Sequence, residues 1–150
     1  MCKKSSDYRS NVAVFIIDEA KKVLLCKRRD DLGWQLPQGG IDGEETPQEA
    51  LYREVSEETC IDSIDVLGQT KDWIYYEWPE TANHFSGYLG QKQIFFVASV
   101  KDDQKSKVSP TKEFKDFKWT NWKEVYEKII DFKKESYLKA YNELKYLLEC

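Results

Sequence analysis

The stretch GGIDGEETPQEALYREVSEETCI, from Gly39 to Ile61, is the segment that leaves this chain the fewest options. Thr46 is placed to cap a helix, Pro47 suits its first position, and Glu49 completes an S/T-x-x-E capping box. Ala50, Leu51 and Val55 give that helix an apolar side, so it must lie on a hydrophobic layer rather than stand free. Glu54, Glu57 and Glu58 fall at i, i+3 and i+4, which puts three carboxylates on one face within about one turn. Like charges at this spacing cost a helix roughly 0.2–0.5 kcal/mol per pair. Two readings account for such a face: a solvated acidic surface, or a set of hard oxygen ligands whose repulsion a divalent cation relieves. The surroundings favour the second. A glycine pair precedes the helix, Glu45 lies just before its cap, and Arg53 stands one turn before Glu57, where it can pin that carboxylate by a charge-assisted hydrogen bond.

The rest of the chain supplies the layer. NVAVFIID (11–18) and VLLCKRR (23–29) read as apolar, β-branched strands joined by a DEAKK turn, and WQLPQGG as a short extended piece. IDVLGQT and KDWIYYEWP read as strands with aromatic faces, QKQIFFVASV (91–100) as a strong strand, and KDFKWTN as a short last one. Between these, DDQKSKVSPTKEF reads as a polar loop. From Asn121 onward the pattern turns helical, with Asn121 and Glu124 as a capping box. Tyr137, Tyr141, Leu144 and Leu148 follow as the stripe of a C-terminal amphipathic helix. At 150 residues, with no repeat and no linker, one domain spanning 1–150 is expected.

A net charge of −4 argues against a protein that grips duplex DNA through a basic surface. It leaves phosphate substrates open, because carboxylates bind phosphate through Mg²⁺, or through Mn²⁺ in its place. Cys2, Cys26, Cys60 and Cys150 form no CxxC pair and no zinc spacing. With no apolar leader and no membrane-length run, the expectation is a soluble, cytoplasmic protein with free thiols. His84 is the only histidine and has no ligand-spaced neighbours. Trp34 and Trp73 read as core or cleft-wall rings.

The segment 39–61 resembles the signature of the Nudix hydrolases, G-x5-E-x7-R-E-U-x-E-E-x-G-U, through Gly39, Glu45, Arg53, Glu54, Val55, Glu57, Glu58 and Ile61. Cys60 stands where the signature has its last glycine, so it must take up a left-handed conformation costing on the order of 1 kcal/mol if the helix ends as in the family. YRSNVAV, GWQLPQGG, GQKQIFF, TKEF and DFKKESY extend the likeness over nearly the whole chain, toward bacterial RNA 5′-pyrophosphohydrolases and dinucleoside polyphosphate hydrolases. YRSN and TKEF each lack a proline that this group usually carries.

The resemblance implies an α/β fold, a Nudix α/β/α sandwich with a mixed β-sheet between helices. It implies metal-dependent cleavage of a phosphoanhydride in RNA 5′ ends or dinucleoside polyphosphates; a catalytically silent nucleotide- or RNA-end-binding module is the remote alternative, disfavoured because every signature carboxylate is present. Glu54, Glu57 and Glu58 are implied as metal ligands, with the Gly39 carbonyl and the loop carboxylate Glu113 as further ones. Arg53 and Glu113 join the catalytic set. Arg9, Arg28, Tyr76, Gln91, Phe132 and Lys133 are implied on the substrate side, with Phe132 and Lys133 beside a nucleobase.

Overall fold

In the computed structural model, which describes residues 3–79 and 87–149, an eight-stranded mixed sheet separates two hydrophobic layers. The strands are β1 (Tyr8–Ile17), β2 (Val23–Arg28), β3 (Trp34–Gln35), β4 (Gln38–Gly40), β5 (Asp65–Gln69), β6 (Ile74–Glu77), β7 (Gly90–Ser99) and β8 (Phe114–Thr120). The helices are α1 (Pro47–Thr59), α2 (Asp102–Lys105), α3 (Trp122–Lys128) and α4 (Lys134–Leu148). The central strand pair, β1 and β7, is parallel along its full length, from Tyr8 opposite Gly90 to Ile17 opposite Ser99. The remaining pairings are antiparallel, with β2 and β4 against β1, β5 and β6 against β7, and β3 and β8 against β2.

Side chains alternate across a strand, so the apolar run of β1 serves both faces. Val12, Val14 and Ile16 meet Ala50, Leu51 and Val55 of α1. Ala13, Phe15 and Ile17 meet Val125 of α3 and Tyr137, Ala140, Leu144 and Leu148 of α4. This is the α/β/α arrangement that the resemblance implied. Three local expectations change. The polar segment 102–114 is not all loop, since Asp102–Lys105 makes a helical turn whose Gln104 accepts the N–H groups of Asp62 and Ser63 at 3.2 Å each. The helical C-terminus is interrupted: Ile129 leaves α3 in an extended conformation and bridges Trp34, and Asp131–Lys133 form a 3₁₀ turn before α4. Only half of the capping box at Asn121 forms, because the Glu124 carboxylate turns to Lys118.

Cys26 is buried and Cys60 exposed, both as free thiols; Cys2, Cys150 and His84 lie outside the described residues. Trp34 packs against the α3/α4 core, and Trp73 against the α1 core beneath the Lys92 ammonium, 4.9 Å from the ring centroid. No described helix is long and apolar enough to cross a membrane.

Candidate active site

The site forms around β4, whose three residues face alternately toward α1 and away from it. Gly39 faces α1: a Cβ there would lie 1.9 Å from the Glu54 carboxylate carbon, so only glycine lets that carboxylate rest on the backbone. Gly40 faces the opposite way, where a Cβ would lie 2.2 Å from the Arg9 guanidinium. The glycine pair thus admits an acid on one side and a base on the other. Gln38 joins the two sides, because its N–H donates to Glu58 at 2.8 Å while its side-chain oxygen accepts from Gln93 at 3.3 Å.

Helix α1 begins as its sequence dictates, with Thr46 and Glu49 in a reciprocal box and Pro47 in the first turn. Its charged face is not uniform. Glu57 is exposed, Glu54 half-buried, and Glu58 almost wholly buried. Burial raises the Glu58 carboxyl well above its ordinary range, and the nearby charges of Glu54 and Glu113 add to the effect. Burial raises Glu54 as well, against the opposing pull of Arg53. Arg53 pins a different set from the one its spacing predicted. Its contact with Glu57 is long, at 3.4 Å, whereas it donates to Glu45 at 2.8 Å through two nitrogens, to Glu54 at 2.7 Å and to the Gly40 carbonyl at 2.9 Å. That hold draws Glu45 down to about 2. The reason is the fold-back of residues 41–45, which brings Glu45 to the guanidinium from outside the helix.

Among the described residues, no three acidic, cysteine or histidine side chains stand close enough to hold a metal ion as they are placed. The donor chemistry nevertheless fits a hard divalent cation. The Glu58 side chain has one backbone N–H as its hydrogen-bond partner, the neighbouring guanidinium is spent on Glu45 and Glu54, and the charge of Lys133 does not offset burial, so a divalent cation would relieve it.

Across the sheet lies a second polar cluster, built from distant segments. Lys133 is fully buried and donates to the Gln35 side-chain oxygen at 2.8 Å; that same oxygen accepts from Arg28 at 3.3 Å. Burial, helped by the Arg28 charge, pushes the Lys133 ammonium down to about 7. Its nitrogen lies 6.0 Å from the Tyr76 ring centroid, and Phe132 packs on Tyr76 with centroids 5.8 Å apart. Tyr76 and Gln91, both implied as substrate contacts, are buried: Gln91 donates to the Tyr76 hydroxyl and accepts from Asn11 at 2.9 Å. Gln93 donates to Asn11 at 2.8 Å, while its own oxygen is buried without a partner among the described residues. The Arg28 guanidinium is held by Asp30 at 2.5 Å. Arg9 lines a 520 Å³ cleft with Tyr8, Ser10 and Lys92. Phe132 lines a 280 Å³ cleft with Tyr75, Tyr76 and Glu77.

Glu113 is exposed at the end of the segment that leads into β8, close enough to Glu58 to influence its charge. Sequence reading missed Asn11, Gln35, Gln38 and Gln93. Their signal was present as amide side chains set inside otherwise apolar strands, where an unpaired amide is costly.

Comparison with known proteins gives a consistent picture. A family model described as NUDIX domain matches residues 7–141. The RNA pyrophosphohydrolase of Hydrogenovibrio crunogenus is 37% identical over 146 residues, covering 92% of this chain and 88% of that protein. That of Helicobacter pylori is 39% identical over 137 residues, covering 87% and 88%. Among solved structures, the dihydroneopterin triphosphate pyrophosphohydrolase of E. coli superposes with a TM-score of 0.69 at 21% identity, over 90% of this chain and 98% of that one. The Ap4A hydrolase of C. elegans superposes with a TM-score of 0.66 at 17% identity, over 87% and 91%. At those identities the two structures speak for the shared fold alone.

Proposed function

This chain belongs to the Nudix family, and from that premise we propose that it is an RNA pyrophosphohydrolase, a cytoplasmic single-domain enzyme that converts a 5′-triphosphate or diphosphate end of RNA to a 5′-monophosphate. The observation that carries this reading is the pairing of two unlike walls about β4. One offers carboxylates with an unmet need for a cation; the other offers a buried amine, two guanidinium groups and a ring.

A phosphoanhydride resists water because its oxygens repel a nucleophile, so the enzyme must neutralise charge, align water and accept a proton. Glu54, Glu57 and Glu58 would hold Mg²⁺, or Mn²⁺ in its place, with Glu113 and the Gly39 carbonyl beside them. The bound cation supplies neutralisation of the phosphate oxygens and polarisation of the scissile bond. Arg53 orients Glu54 and ties it to Gly40 and Glu45. Arg9 and Arg28 face the phosphates from the other side. Water attacks phosphorus, the bridging P–O bond breaks, and the bridging oxygen leaves with its electron pair. We assign the water's proton to Glu113, whose carboxylate is exposed and engaged by no hydrogen bond or ion pair from a described residue. Phe132 offers a face for stacking an unpaired base, and Lys133, with one protein acceptor, keeps donors for that base's edge that substrate binding must uncover from their buried position.

The test is side-by-side turnover of triphosphorylated RNA and a dinucleoside tetraphosphate with Mg²⁺ present, for wild type and Glu57→Gln. RNA turnover should dominate, require an unpaired 5′ end, and fall by orders of magnitude in the variant. A dominant rate on the dinucleotide would reassign the substrate. Wild-type turnover by Glu57→Gln would remove the carboxylate face from the chemistry.

A further inference from the structure

We infer that Thr111 and Arg29 are positioning residues, a clamp that fixes Glu113 relative to Glu58. The inference rests on the assignment of Glu113 to proton transfer. The last carbonyls of a helix lack partners within it. Helix α1 stops at Cys60, and the next N–H that could reach the Glu58 carbonyl, that of Asp62, is taken by Gln104. The Thr111 hydroxyl fills the gap by donating to the Glu58 carbonyl at 2.9 Å.

The same hydroxyl accepts from the Phe114 N–H at 3.4 Å, and the Thr111 N–H donates to the Phe114 carbonyl at 2.9 Å. One side chain therefore links the backbone of a carboxylate implied as a metal ligand to the residue just after Glu113. Arg29 holds the other flank. Its guanidinium donates to the Thr111 carbonyl, and its N–H donates to the Glu113 carbonyl at 3.1 Å. Directly beyond Glu113, β8 is bulged: Phe114 pairs with Arg28 and Asp116 with Lys27, leaving Lys115 as the extra residue. Bulges next to active sites re-aim side chains, and this one sits where Glu113 must turn out of the sheet. Phe114, fully buried against the α1 core, anchors the turn from below. The sequence marked this segment as a polar loop, with Lys112 where the resembled group usually carries a proline; the clamp supplies the restraint instead.

Single-turnover kinetics and direct substrate binding on Thr111→Val, Thr111→Ser, Arg29→Ala, Glu113→Gln and the Thr111→Val/Glu113→Gln pair test this. Thr111→Val should slow the chemical step about tenfold with affinity unchanged, since small misplacements of a reacting group carry penalties of that order. Thr111→Ser should restore it, and Arg29→Ala should give a smaller loss of the same kind. In the Glu113→Gln background Thr111→Val should cost nothing further, because a clamp has no function once its cargo is inert. In metal-free protein, amide exchange at Phe114 should accelerate in Thr111→Val but not in Thr111→Ser. An impaired Glu113→Gln beside normal chemistry in Thr111→Val overturns the clamp alone, as does an equal Thr111→Val loss with and without Glu113. An unimpaired Glu113→Gln removes the proton-transfer assignment itself. Should Thr111→Val not fold, a normal chemical step in Arg29→Ala overturns the clamp.

Discussion

The two walls of the site solve the same problem, holding an ionisable group away from water, in opposite ways. On α1 the buried group is an acid, Glu58, and its charged neighbours on the helix face, Glu54 and Glu57, are also acids. One helix supplies all of them at fixed spacing. Across β4 the buried group is a base, Lys133, and its partners are a neutral amide, Gln35, and an aromatic face, Tyr76. These come from three separate segments. Glu58 and Lys133 feel each other's charge, but burial outweighs that attraction for both, so the acidic wall still favours a cation and the basic wall an acceptor. A phosphorylated nucleotide end carrying a divalent ion supplies both, so each wall is incomplete in the respect that the ligand completes.

The largest expected effect comes from Glu58→Gln. Turnover with Mg²⁺ should fall at least about 10²-fold, the scale on which preorganised electrostatic groups act. The metal-free protein should nonetheless melt higher than wild type at neutral pH, because the change removes a carboxyl group whose ionisation burial disfavours. Activity assays beside thermal melts in chelator decide it. A variant that loses turnover and stability together would show that Glu58 is satisfied without a cation, which breaks the contrast between the walls.

Lys133→Met should act more gently, lowering RNA turnover about tenfold while stabilising the fold by about 1 kcal/mol or more. The two walls should also differ in the sign of their pH dependence. Lys133 titrates near 7 when folded and near 10.5 when unfolded. Between those values the unfolded chain carries the extra proton, so its contribution to stability grows as pH rises through that window. Glu58 has a folded value above its ordinary 4.5. Above pH 4.5 the folded state keeps a proton that the unfolded chain has lost, so its contribution falls as pH rises toward the folded value. Denaturant melts of metal-free protein from pH 7 to 10 should therefore show a positive slope, of at most about 1.4 kcal/mol per pH unit from this group, that Lys133→Met lacks. Identical slopes in the two proteins would place the Lys133 charge in solvent.

The contrast between the walls also explains what could be read from the sequence. Helix α1 was legible from its cap through its acidic face because each signal lay within five residues of its partner: Thr46 with Glu49, Ala50 with Leu51 and Val55, and the three acids. Strands β1 and β7 were legible as continuous apolar runs, since both of their faces meet a core. The fold-back that gives Glu45 to Arg53 was not, because spacing within a helix is silent about a loop that returns to it. Nor were the break at Ile129 and the buried state of Lys133, which depend on Trp34, Gln35 and Tyr76 from distant segments. The resemblance implied Tyr76, Gln91 and Lys133 as substrate contacts; their place in a buried network needed the tertiary structure.

The smallest expected effect concerns the exit of α1. Cys60 occupies the left-handed region, with φ 69° and ψ 6°, while its N–H closes the last turn onto the Ser56 carbonyl at 3.1 Å. A side chain in that conformation costs on the order of 1 kcal/mol where glycine has no penalty. Against this, the thiol sulfur accepts a weak hydrogen bond from the Ser109 hydroxyl at 3.3 Å, which glycine would forfeit. A contact to exposed sulfur is the lesser quantity, so Cys60→Gly should stabilise the protein by about 0.5–1 kcal/mol, or roughly 1–4 °C in a domain of this size. Turnover should not change, because the Glu58 backbone is held by Thr111 rather than by Cys60. Cys60→Ala separates the two contributions: it keeps the strained Cβ, loses the sulfur, and should be slightly less stable than wild type. If Cys60→Gly melts lower than wild type, the sulfur contact outweighs the backbone strain. If it alters turnover, the helix exit is coupled to the carboxylate wall by a route other than the Thr111 clamp.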